Sequence, residues 1–187
     1  MNKLRILLTG TVASVLFLAC SNVPEAEFKI ENIDSMATVY IENAEILYSD
    51  SARVKMKMNT KLLENYTRLD TPYIEMKQGV KVIFYDIKGT EQSSLTAKYA
   101  KYIELLDLWE YKGDVRIVNT DKDVLETQHL FADNKKEELY SDVKLVITRS
   151  TGNIIRANGG FRSDFNFKNY TMKKVQSGSS KKEDWEF

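Results

Sequence analysis

Nucleophiles and metal ligands are scarce in this chain. Cys20 is its only cysteine and His129 its only histidine, so a histidine-centred triad and a tetrahedral nitrogen/sulfur metal site both lack their parts. His129 reads as an ordinary strand residue. Gly159-Gly160 is not followed by Lys-Ser/Thr, which argues against a phosphate-cradling loop and ATP binding by this chain. Carboxylates remain. Two of them set across a cleft would hydrolyse a glycan, but runs such as Lys135-Lys136-Glu137-Glu138 mix both signs and read as solvated turns. No cofactor or metal is implied, and the chain is expected not to be an enzyme, with a two-carboxylate hydrolase as the catalytic alternative. Basic and acidic residues balance at 27 each without a basic stripe, which argues against nucleic acid as the partner.

Cys20 carries different chemistry. Lys3 and Arg5 precede an apolar stretch over residues 6–19, broken by Thr9-Gly10-Thr11 and Ser14, and Ala19 stands immediately before the cysteine. This resembles a bacterial lipoprotein signal, with Phe17 where Leu is commonest. Residues 1–19 are then a signal peptide, Cys20 is the lipidation site, and residues 20–35 are a tether. About 14 apolar-leaning residues are short for a span of roughly 20. A lipidated Cys20 leaves the mature chain no thiol for a disulfide.

Positioning elements follow from repetition. Gly113-Asp114-Val115-Arg116-Ile117-Val118 returns as Ser141-Asp142-Val143-Lys144-Leu145-Val146, with Gly79-Val80-Lys81-Val82 as an earlier copy and Ala52-Arg53-Val54-Lys55-Met56-Lys57-Met58 as a looser one. Val54, Met56 and Met58 alternate with Arg53, Lys55 and Lys57, the period of a strand wet on one side. Val80, Val82 and Phe84 share a face; Leu95, Ala97, Tyr99, Lys101 and Ile103 run back from a turn at residues 86–89. Val115 and Ile117, then Val143, Leu145 and Ile147, supply further inward rows. Turns are predicted at residues 119–123, 133–136 and 150–153, and Asn158-Gly159-Gly160 marks a bulge or close backbone approach before a last pair over residues 161–175. Residues 59–71 read as a helical turn or wide loop ended by Pro72, and residues 176–187 as a loose tail.

The fold class is therefore all-β: a sandwich or jelly roll of repeated antiparallel units over residues 36–175. A parallel β-solenoid is the alternative; its coils repeat more regularly. The apolar rows admit two functions. They fill a closed core whose surface binds proteins, or they line a groove between splayed sheets, formed by Met56, Met58, Val80, Val82, Phe84, Tyr99, Val115, Ile117, Val143, Leu145, Ile147 and Phe161, whose methionines and aromatics suit acyl chains.

Three segments in order, Phe84-Tyr85-Asp86-Ile87-Lys88-Gly89 running on to Leu95-Thr96-Ala97, Tyr111-Lys112-Gly113-Asp114-Val115-Arg116-Ile117, and Ala157-Asn158-Gly159-Gly160-Phe161-Arg162-Ser163, resemble the LptC family of the lipopolysaccharide export machine over about residues 45–175. The bridge protein LptA shares the β-unit, and a membrane tether favours LptC. Better-known members are anchored by a transmembrane helix, a task that falls to Cys20 here. The resemblance implies an open β jelly roll in the periplasm, anchored at the inner membrane. It would take lipid A acyl chains from an ABC transporter and pass them to an LptA-like protein, with Lys81, Lys144 and Arg116 facing the sugars. It further implies that the edge near Val39 and Ile41 meets the transporter's periplasmic domains, and that the edge near Phe165 and Phe167 meets the LptA-like partner by strand addition.

Overall fold

The computed structural model describes residues 36–165, 167, 169–173 and 175–177. The signal peptide, Cys20, the tether and most of the tail lie outside them. Among the described residues fourteen strands form one connected antiparallel sheet: β1 (Val39–Asp50), β2 (Arg53–Tyr66), β3 (Tyr73–Met76), β4 (Val80–Tyr85), β5 (Glu91–Ala97), β6 (Tyr99–Ile103), β7 (Leu108–Val118), β8 (Val124–Asp133), β9 (Glu138–Ser141), β10 (Leu145–Thr148), β11 (Ile154–Ala157), β12 (Phe161–Asp164), β13 (Tyr170–Thr171) and β14 (Val175–Ser177). The expected all-β jelly roll is what the chain forms. Helical geometry among the described residues is one 3-10 turn, Glu104–Leu106, and no helix there is long and apolar enough to cross a membrane.

Long strands that change sheets build the sandwich. β2 pairs with β4 up to Thr60 and with β3 from Glu64. β7 pairs with β6 up to Lys112 and with β5 from Arg116, its register shifting at Gly113-Asp114. β8 pairs with β10 up to Thr127 and with β9 from Phe131. One face thus comprises β2, β4, β5, β7, β8, β10, β11 and β14 and the facing one β2, β3, β6, β7, β8, β9, β12 and β13, with β1 alongside β2 throughout. Strands bend at bulges where a sandwich turns a corner.

At each corner a carbonyl leaves its ladder and needs another donor, since a buried unpaired one costs about 1–3 kcal/mol. Thr60 Oγ1 donates to the Gly79 carbonyl at 2.7 Å and Thr127 Oγ1 to that of Lys144 at 2.8 Å. Ser141 Oγ donates to the His129 carbonyl at 2.7 Å, and the Lys98 N–H to Gly113 at 2.9 Å. The predicted close approach at Gly159 is real: at φ 118° a Cβ there would lie 2.5 Å from the Asp142 carbonyl oxygen.

Turns at residues 86–89, 119–123, 133–136 and 150–153 form where composition placed them, closed by backbone hydrogen bonds such as Asn119 N–H to Asp123 O at 3.1 Å. Residues 59–71 are corrected: the chain stays in β2 as far as Tyr66. The corner at Thr60 shifts the alternation there, so Thr60 and Leu63 both point inward and the stretch loses its period of two.

Candidate functional site

Register alone aligns an apolar row across the first sheet. Ile46, Met58, Val82, Leu95, Ile117, Leu125, Ile147 and Ile155 are successive cross-strand partners. The facing sheet carries Val39, Asn65, Ile74, Tyr102, Trp109, Ala132, Leu139, Ser163 and Tyr170 in the same relation. Opposed apolar rows of this length make an acyl-sized slot or a core, according to how far the sheets part.

The rows are left exposed at one end. Val39 is 42% and Ile41 46% exposed, while Asn65, Ile74, Tyr102 and Trp109 are half-buried. Beyond Trp109 the row closes over Ala132, Leu139 and Ser163, and Leu125, Leu130, Leu145, Ile147, Ala157 and Phe161 are completely buried. Tyr102 and Trp109 stack with ring centres 4.8 Å apart, and burial with a hydrogen bond to Asp107 pushes the Tyr102 phenol up to about 12. The lip of the first sheet nearby has a hollow of about 470 Å³ that mixes Leu47, Val54 and Ile87 with Arg53, Lys57 and Lys88.

The far end is filled. Phe167 is fully buried against Phe161 and Tyr170, with ring centres 6.1 and 5.6 Å away. Its carbonyl accepts from Asn119 Nδ2 at 3.5 Å, and Asn119 Oδ1 accepts the Asp123 N–H at 2.9 Å. Asp123 pairs with Arg149 and accepts the Ser150 N–H at 2.9 Å; Arg149 also donates to the Tyr170 hydroxyl. Burial pushes the Asp123 carboxyl up, but the Ser150 N–H and Arg149 outweigh it and hold the group below the usual carboxylate range.

The residues anticipated for the groove divide accordingly. Met58, Val80, Val82, Val115, Ile117, Leu145, Ile147 and Phe161 point inward and are buried; Met56 and Phe84 are inward and half-buried near the open end. Tyr99 is a correction: the corner at Lys98 places Ala97 and Ala100 inside, and Tyr99 turns outward, donating to Glu75 at 2.5 Å beneath Lys112. Val143 is another, 39% exposed at the corner between β9 and β10, where Ser141 and Leu145 face inward instead. Phe167, anticipated on a partner edge, is core; Phe165, at 37% exposure, stays available. Trp109, Tyr102, Ile74 and the Asn119–Asp123–Arg149–Tyr170 cluster were missed. A usable signal was the inward spacing i, i+2, i+5 seen in Met58/Thr60/Leu63, Leu95/Ala97/Ala100 and Leu125/Thr127/Leu130.

His129 accompanies Phe131 and Tyr140 on the outer face, its Nε2 2.8 Å from Glu110. Among the described residues no group of three or more His, Cys, Asp or Glu could hold a metal ion.

The fold is thus a β jelly roll with an apolar interior whose β1 end is left exposed. The chain belongs to the LptC family: the family model, lipopolysaccharide-assembly, LptC-related, matches residues 4–173. No match is found among curated proteins. Membership implies a role in the lipopolysaccharide transport bridge and a periplasmic setting associated with the inner membrane.

Proposed function

We propose that the chain receives lipid A acyl chains of lipopolysaccharide from the transporter's periplasmic domains at its β1 end, holds them between the sheets, and hands them to an LptA-like jelly roll at its β13 and β14 end, anchored to the inner membrane through lipidated Cys20. The observation that carries this is the pair of inward rows whose β1 members Val39 and Ile41 are exposed and Ile46 half-buried while their middle is fully buried. An acyl chain laid on that row gains about 0.8 kcal/mol per buried methylene. Sugars and phosphates stay outside, near Lys81, Arg116, Arg53 and Lys88 at the outer face and lip.

Edges support the direction. β1 pairs with β2 alone, leaving the other side of a 12-residue strand unpartnered among the described residues, a template for strand addition and an aggregation hazard without a partner. Transport is tested in cells making lipopolysaccharide by placing a photo-reactive amino acid at Ile41, Trp109 and, outward, Lys81. Adducts at Ile41 and Trp109 but not Lys81 are expected. Absence of adducts at every position in folded protein would select the alternative favoured by the fully buried Leu125, Leu145 and Ile147: a closed sandwich that binds proteins only.

A further inference from the structure

The closed end is held by a specific set of bonds, and their placement between the sheets has a functional consequence. Ile117, Leu125 and Ile147 face inward, so Asn119 and Arg149, two residues after Ile117 and Ile147, and Asp123, two residues before Leu125, continue that row at the sheet's rim. Tyr170 belongs to the facing sheet as the partner of Ser163. The Arg149–Tyr170 hydrogen bond therefore spans the sandwich, and Asn119 ties the Phe167 carbonyl to the first sheet in the same way. Phe167 fills the space between them.

We propose that Phe167 and Tyr170 form a latch that stops the acyl path at the far end, and that docking of the next jelly roll on β13 releases it. This rests on the acyl-transfer reading above. β13 has only two residues and pairs only with β12 among the described residues, flanked by the Asn169 carbonyl accepting from the Asp164 N–H and the Lys173 N–H donating to the Gly160 carbonyl, so a single strand pair carries Tyr170. Phe167 closes its turn through its N–H to the Asp164 carbonyl at 3.0 Å, in the left-handed conformation (φ 53°) that Asp107, Lys122 and Glu137 take at the same position of their turns. An incoming strand gains further ladder bonds only if β13 lengthens. Docking thus binds the extended hairpin better than the latched one, the differential affinity a switch needs. Lipid would pass when a receiver is present and be retained when none is.

The test uses purified full-length protein with lipopolysaccharide and no partner, carrying a photo-reactive amino acid at Ile41 or at Ile155, a half-buried inward residue of the far end. Wild type gives adducts at Ile41 and few at Ile155. Phe167→Ala raises the Ile155 adduct about tenfold, as expected when a state populated at a few per cent becomes the main one, and leaves Ile41 unchanged. Tyr170→Phe, which keeps the ring and loses the hydroxyl bond, raises it less and decides the matter alone if Phe167→Ala does not fold. Equal Ile41 and Ile155 adducts in wild type, or an Ile155 adduct unmoved by the variants, overturn the latch. No adduct at Ile41 in any protein refutes the transfer reading itself, and the latch with it.

Discussion

The two ends of the sandwich are built from the same inward rows and differ in what covers them. At the β1 end, Val39 and Ile41 are inward residues left exposed, and among the described residues the edge of this 12-residue strand is unpaired. At the β12 and β13 end the same kind of position holds Phe161, fully buried under Phe167 and Tyr170, and the edge strands have two and three residues. Whether an apolar inward residue is a lining or a core is therefore decided by its neighbours across the slot. The closed end should carry the stability of the domain and the open end its uptake of ligand.

Glycine substitutions probe this contrast most severely. Gly159→Ala places a Cβ at φ 118° against the Asp142 backbone and is expected to cost about 4 kcal/mol or more in denaturant unfolding. Gly89→Ala, in the turn after β4 at φ 79° with open space around it, is expected to cost about 1 kcal/mol. A larger loss at Gly89 than at Gly159 would break the comparison.

Side-chain truncation comes next. Phe161→Ala removes a completely buried ring and should cost about 3–5 kcal/mol. Ile41→Ala, at 46% exposure, should cost less than about 1 kcal/mol while lowering lipid cross-linking at neighbouring Val39.

Acid unfolding separates the ends by charge. Asp123 is nearly buried at the closed end and its folded pKa is lowered. Its stabilising share is therefore complete above the ordinary aspartate value of about 4 and is lost as pH falls through the lower folded value. Asp123→Asn should flatten the acid limb of the stability curve below about pH 4 and weaken the domain at neutral pH, since Arg149 loses its carboxylate. Glu45, paired with Lys57 on exposed β1 and β2, should leave the unfolding midpoint unchanged when replaced by Gln, as exposed ion pairs contribute little.

Much of this division was legible in the sequence and some was not, for reasons that lie at the corners. The repeated phrases ending in Val115-Arg116-Ile117 and Val143-Lys144-Leu145 identified the strands, and Val82, Ile117, Leu145 and Ile147 point inward as alternation requires. Alternation fails where a strand changes sheets. Between β5 and β6 an extra residue shifts the parity, which is why Tyr99 faces outward and Ala100 the interior, whereas Ser141 and Leu145 keep one parity and Val143 is exposed because it lies between β9 and β10, off the ladder. Phe167 was hidden for another reason: it enters the core from a hairpin tip through contacts with Phe161, Tyr170 and Asn119 that no period describes. Alternation alone did not show that Val39 and Ile41 stay exposed, because exposure depends on what lies across the slot; only the family resemblance pointed to that edge.

Phe165 gives the smallest and most discriminating change. It stands two residues before Phe167, yet one ring is 37% exposed and the other completely buried. Phe165→Glu should shift unfolding by no more than about 0.5 kcal/mol, the range of surface substitutions, and yet weaken capture of an LptA-like partner by purified protein, because it sets a charge beside the edge of β12 and β13. Proline or glutamate at Phe167 should instead unfold the closed end, so loss of capture there carries no information about docking. If Phe165→Glu captures the partner at wild-type strength, the docking edge lies on β14, where Val175 is 48% exposed, and the same pair of measurements at Val175 then locates it.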